Sequence, residues 1–145
     1  MKVERSVIID RANGEIFSFL SKLDNHVRFI PGLLEFRLVT QLGPGAEVIG
    51  VRRAFGRVRH LPYRVATFVP NQVLALSTRL GPLEGTAEYR VEPTADRRSR
   101  VTMISDYRAR RPFGLVDGLL ASMARRDTAI ATANLKRILE TPPAE

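Results

Sequence analysis

Cysteine and tryptophan are both missing from the 145 residues. Without a thiol the chain can hold no disulfide, no thiolate metal site and no cysteine nucleophile, and nothing in it calls for an oxidising compartment. Histidine is scarce: His26 and His60 are the only two. A metal centre needs three or four converging ligands, and neither histidine has partners at that spacing, so no metal and no cofactor is expected. No apolar run approaches the ~20 residues of a membrane-spanning helix. The opening MKVERSVIID is charged and alternating. It is expected to be a strand rather than a signal peptide, with the cytoplasm as the expected location. There is no Ser-His-Asp spacing, phosphate loop or dinucleotide fingerprint; Gly43-Pro44-Gly45 reads as a turn.

Acidic residues are outnumbered, 15 against 23 Lys and Arg, which leaves a formal charge of +8. Such a balance suits nucleic acid, an anionic membrane surface or an acidic partner. The arginines are spread along the chain as Arg52-Arg53, Arg57, Arg59, Arg97-Arg98, Arg110-Arg111 and Arg125-Arg126. No aromatic residues interleave with them and no reading helix is visible, so nucleic acid is not expected as a partner. An anionic membrane surface remains a partner to test, and the chain reads equally as monomer or homodimer.

What the chain does contain is one long helical pattern, Phe113–Glu140. Phe113, Val116, Leu120, Met123, Ala124, Ala131, Leu135 and Ile138 recur at helical spacing, while Ser122, Arg125, Ala129 and Lys136 fall on the side expected to face water. Such a stripe needs a partner surface. Pro112 suits the first turn of that helix. Before it the period is mostly two. Met1–Ile9 reads as a strand. Asn13 is the expected N-cap of a short helix carrying Ile16, Phe17, Leu20 and Leu23, and Asp24-Asn25 the expected cap of a second, carrying His26 and Phe29. About six strands follow, separated by turns at Gly43–Gly45, Gly56, Pro70-Asn71, Gly81-Pro82 and Pro93–Ser99. Short turns between consecutive strands imply an antiparallel meander. On one strand Ile49, Val51, Arg53 and Phe55 share a face; on the next Leu61, Tyr63 and Val65 do, and Pro62 suggests an edge or bulge. The fold class is therefore α+β. About seven antiparallel strands form a curved sheet around the long C-terminal helix, with two short helices after the first strand, in a single domain over 1–140 with a tail at 141–145.

Several stretches carry a family resemblance. They are Val3–Asp10, Glu15–Leu20, Asp24-Asn25-His26 before Phe29-Ile30-Pro31-Gly32, Thr67–Pro70, Gly85–Pro93 and Leu135–Glu140. With this layout the chain resembles the SRPBCC superfamily, the START or Bet v 1-like helix-grip proteins, and within it the polyketide cyclase/dehydratase group. Ala12-Asn13 departs from the pattern, where the family often carries proline. The resemblance implies a central cavity for lipids, polyketides, hormones or quinones, in proteins of which some are enzymes.

Within the helix pattern Asp127 falls in the apolar arc, with Asn134 one heptad on. A carboxylate facing a core is costly unless it is paired or hydrated. It is therefore expected to point into the cavity, opposite an inward arginine such as Arg53. The expected lining from the sheet is Arg53, Phe55, Tyr63, Leu76, Tyr89, Met103, Ser105 and Tyr107. From the helix it is Leu120, Met123, Ala124, Asp127 and Ala131, and the small residues Ala121, Ala124, Thr128 and Ala131 of that face leave room against the sheet. Tyrosines with an apolar body and a polar tip suit an amphipathic ligand. The expected partner is a hydrophobic or amphipathic small molecule, entering near Phe29–Gly32. The rival readings are a polyketide cyclase/dehydratase and a quinone or lipid carrier at a membrane surface.

Overall fold

The structure, a computed structural model, describes residues 2–54, 56–81, 83–109 and 117–142. Its elements run β1 (Lys2–Ile9), α1 (Asn13–Ser21), a 3-10 helix (Leu23–Arg28), β2 (Leu33–Leu38), β3 (Glu47–Ala54), β4 (Arg57–Val69), β5 (Val73–Leu80), β6 (Leu83–Ala95), β7 (Arg98–Ala109) and α2 (Asp117–Glu140). The seven strands form one sheet in the order β1-β7-β6-β5-β4-β3-β2, with every neighbouring pair antiparallel. Strands β2 to β7 are a meander. The two short helices carry the chain from the β1 edge to the β2 edge. This is the α+β helix-grip arrangement that the alternation and the turn residues imply.

Helix α2 lies against β1 and β7. It buries Ala124, Thr128, Ala131, Thr132 and Leu135 and exposes Ser122, Arg125, Arg126 and Arg137. Phe113 and Val116, through which the helical pattern extends, and Pro112 lie outside the described residues. Lys136 is half-buried rather than turned to water: its Nζ donates to the Ile8 carbonyl at 2.6 Å and pairs with Glu140 at 2.8 Å. Glu140 in turn accepts the Asp10 N–H at 2.9 Å. The last turn of the helix is thereby tied to the end of β1.

The expected helix caps differ from those observed. Ala12 is the last extended residue before α1, so its carbonyl takes the amides of Glu15 and Ile16, and no side chain caps that end. Asn13 is already helical and reaches sideways to the Asn71 carbonyl. The 3-10 helix starts after Lys22, and Asn25 donates back to the Phe19 carbonyl at 2.9 Å instead of capping.

Pro62 sits on β4, an interior strand, yet the β4–β5 pairing begins only at Tyr63↔Thr78. Proline has no N–H to give a ladder, and the Thr78 hydroxyl takes the Pro62 carbonyl at 2.7 Å. The half of β4 from Arg57 to Pro62 is therefore paired with β3 alone, and the edge expected at Pro62 is a local one. Val65 exchanges both its backbone bonds on the β3 side, with Gly45 and Ala46, so the alternate residues Val58 and His60 point their amides toward the unpaired side. Native-state hydrogen exchange should find Val58 and His60 faster than Arg59 and Leu61 by at least tenfold. Equal protection would mean the β4–β5 ladder extends past Pro62.

Candidate functional site

The concave face of the sheet follows from register. On β3 the inward residues are Val48, Gly50 and Arg52; on β4 they are Leu61, Tyr63 and Val65. Strand β6 adds Ala87 and Tyr89, and β7 adds Met103, Ser105 and Tyr107. Two adjoining hollows lie between this face and α2. The inner one, about 80 Å3, is bounded by His26, Phe36, Leu76, Tyr89, Met103, Ser105, Thr128 and Ala131. The outer one, about 140 Å3, is bounded by Pro31, Arg53, Leu61, Leu120, Met123 and Ala124. Arg52, Tyr63, Tyr107 and Asp127 border both, forming a polar waist between walls that are mainly apolar but also carry Glu88, Ser105 and Thr128 on the inner side and Arg53, Thr78 and Glu84 on the outer.

Two strand glycines shape the waist. A Cβ on Gly50 would stand 2.4 Å from Tyr63 Cε1, and one on Gly85 would stand 3.1 Å from the Tyr107 ring. Each ring lies over a bare backbone position, a common reason for glycine inside a strand. Phe36 meets the Tyr63 ring edge-on at 5.0 Å, which fixes its tilt. Replacing Gly50 with alanine should force Tyr63 out of place. We expect a loss of about 1–3 kcal/mol in urea unfolding, the usual range for overpacking; a neutral effect would show the ring free to move.

Burial opposes the charge on Arg52, but Tyr63, Tyr107 and Asp127 more than offset it, and its pKa is raised. Its Nη1 donates to the Tyr63 hydroxyl at 3.4 Å. Asp127 is half-buried, and desolvation raises its pKa against the pull of Arg52 and Arg126. Arg52 and Asp127 face each other without ion-pair contact. Burial also raises the pKa of Tyr89 and Tyr107, so the waist tyrosine and its inner neighbour are neutral donors at physiological pH. Ser105 and Thr128 share a hydrogen bond at 3.3 Å across the gap between β7 and α2.

His26 closes the inner end. It is fully buried, and its Nε2 meets the Leu20 carbonyl at 2.8 Å. A carbonyl only accepts, so Nε2 carries the proton and Nδ1 presents a bare lone pair. That Nδ1 has no partner among the described residues. Phe29, Phe36 and Tyr89 surround the ring at 5.1–5.3 Å, and desolvation lowers its pKa from 6.5 to about 4. The imidazole is neutral throughout the physiological range.

A family model described as polyketide cyclase / dehydrase and lipid transport matches residues 1–140. The chain belongs to this family. No match is found among curated proteins. Solved structures share the fold. The Zhui aromatase/cyclase from Streptomyces sp. R1128 superimposes with a TM-score of 0.82 at 12% identity, over 97% of this chain and 93% of that one. A START superfamily protein from Mycobacterium smegmatis gives 0.73 at 10% identity, over 94% and 98%. The di-domain ARO/CYC BexL, from the BE-7585A biosynthetic pathway, gives 0.78 at 16% identity over 94% of this chain, which spans 45% of that protein.

In this family member, the expected site residues divide as follows. Leu76, Tyr89, Met103, Ser105 and Ala131 border the inner hollow, Leu120, Met123 and Ala124 the outer one, and Tyr63, Tyr107 and Asp127 both. Phe55 lies outside the described residues. Arg53 borders only the outer hollow with an exposed side chain, and Arg52 is the arginine that faces Asp127. The phase of β3 differs by one residue from the sequence reading because Ile49 and Val51, though apolar, lie on the other face. Pro31 borders the outer hollow, beside the expected entrance. The expected lining lacks His26 and Arg52, the latter the neighbour of Arg53, while Thr128, expected only as one of the small residues on the helix face, borders the inner hollow.

Proposed function

We propose that the protein binds a small hydrophobic or amphipathic molecule in the two hollows between α2 and the sheet. The observation that carries this reading is the polar waist of Arg52, Tyr63, Tyr107 and Asp127 between mainly apolar chambers. Apolar walls supply affinity at roughly 25 cal/mol per Å2 of surface removed from water, and a few convergent polar groups set orientation. The chambers are small beside the ~300–1,000 Å3 of common ligand pockets. They suit a compact ring system or a single short chain, and not a two-chain lipid. The family description, which joins polyketide chemistry with lipid transport, supports the same class. Native mass spectrometry of the protein purified from its own host should show a retained small molecule. Ala124→Phe, which fills the outer chamber from the helix side, should lose it. Bare protein mass from the wild type, with no uptake of added aromatic probes, would overturn the reading.

A second reading is a cyclase or dehydratase. It is favoured by the Asp127 carboxyl, whose pKa is raised by desolvation and which faces a guanidinium and two phenols. A carboxyl whose proton is held more tightly by desolvation is better suited to donating it to a reacting group. Asp127→Asn should then abolish turnover of a polyketone while changing its binding less than threefold. If wild type and variant both bind without turnover, the protein is a binder and not a catalyst.

A further inference from the structure

The β3–β4 register places Arg52 directly opposite Arg59. Residues paired this way project from the same face of a sheet with Cβ atoms ~4.5–5.5 Å apart, and like charges there repel. Arg52 faces the hollows, so Arg59 also stands on the concave side. It lies two residues beyond Leu61, which borders the outer chamber. Arg59 is half-buried, and its Nε is shielded from solvent with no partner among the described residues. Arg53, one residue along β3, borders the outer chamber too.

Asp127 supports the charge on Arg52, whereas the Arg59 Nε has no acceptor among the described residues. Asp127 faces Arg52 without contact and also feels Arg126. Glu84 borders the outer chamber, but its carboxylate is taken by Arg79. A guanidinium N–H shielded from water costs stability unless something accepts from it. The physical remedy is an oxyanion, because an arginine fork matches a carboxylate or a phosphate in a bidentate way.

We propose that the mouth of the outer chamber is an oxyanion site, with Arg52 in its wall, Arg59 beside Arg52 on the same sheet face and Arg53 at its rim. The molecule bound is then an acidic amphiphile: its apolar body fills the inner chamber and its carboxylate or phosphate sits between the paired arginines. This proposal rests on the small-molecule reading above and names the chemical class of its ligand.

The test is calorimetric titration of the intact chain with three probes sharing one ring: benzoate, phenyl phosphate and the neutral isostere benzamide. We expect at least one anion to bind wild type tenfold or more tightly than the amide, with an affinity that weakens as salt rises. Whichever anion binds tighter identifies carboxylate or phosphate as the source. Arg59→Gln should reduce the anion's advantage below threefold and should not lower the melting temperature of the free protein, since it removes a repulsive cross-strand partner. Arg100→Gln, an exposed site on β7, removes the same charge elsewhere and should leave the advantage intact. If the amide binds as tightly as both anions, the oxyanion proposal falls and small-molecule binding stands. If Arg100→Gln erodes the advantage as much as Arg59→Gln, the attraction is diffuse and the proposal also falls. If none of the three binds, this proposal and the small-molecule reading fall together.

Discussion

Between pH 6.5 and pH 4 the protein should lose roughly 3 kcal/mol of unfolding free energy through His26 alone, since one pKa unit corresponds to ~1.4 kcal/mol. The folded state holds this imidazole neutral, with its pKa lowered by burial to about 4, whereas the unfolded chain protonates it near 6.5. Across that window the unfolded state binds the extra proton, so stability falls as pH falls and levels off once both states are protonated. Asp127 acts in the opposite direction. Its carboxyl pKa is raised in the folded state, so protonation favours the fold at and somewhat above 3.8. Glu140, whose pKa is lowered by its bonds to Lys136 and Asp10, loses its contribution at and below 4.5. The upper half of the window, pH 5 to 6.5, therefore belongs most cleanly to His26. Urea unfolding at half-unit steps would measure the slope, and His26→Phe should flatten it. A wild-type curve already flat over pH 5–6.5 would mean that the buried ring has access to a proton partner in the folded protein.

Leu135→Ala should lower stability by about 2–5 kcal/mol, the range for emptying a fully buried leucine site. The residues of α2 buried against the sheet are Ala124, Thr128, Ala131, Thr132 and Leu135, and Leu135 is the one large apolar side chain among them. It is completely covered and belongs to the same packed cluster as Ile9, Val101 and Leu20. Domains of this kind are stable by some 5–15 kcal/mol, so the loss is a large share of the total. It should also weaken ligand binding, because α2 is one wall of both chambers. Ile130→Ala, on the exposed side of the same helix, should change stability by less than ~0.5 kcal/mol. Comparable losses at the two positions would mean that α2 is not held by its apolar stripe.

The architecture was legible because it is written in residue periodicity. Alternation in Gly85–Val91 and Val101–Tyr107, glycine and proline at the turns, and the stripe through Leu120, Ala131 and Leu135 all report burial, which hydropathy detects. The inward direction of Asp127 was readable for the same reason: a single carboxylate stood out in an apolar arc. The site itself broke the pattern elsewhere. On β3 the cavity is faced by Gly50 and Arg52, neither of which resembles a core residue, while apolar Ile49 and Val51 occupy the other face. A reading that follows hydrophobicity therefore selects Arg53. Departures of this kind are expected where a chain gives up packing for recognition. His26 was hidden for a different reason. Its burial depends on Leu20, Phe29, Phe36 and Tyr89 converging from four elements, and nothing local announces that. The Arg52–Arg59 opposition required the strand register, which single-strand alternation does not contain.

The pairing of β1 with β7 has a consequence for how the molecule assembles. Lys2 meets Asp106 and Ile9 meets Ser99, so the strand of this sheet made earliest is among the last to find its place. Until β7 and α2 have emerged, β1 has no neighbour and β7 no cover. Long-range pairings of this sort slow folding, and an unpaired strand in a waiting chain invites association with others. Refolding yield should therefore depend on protein concentration, with chains whose β1 has not yet docked on β7 as the species that aggregates.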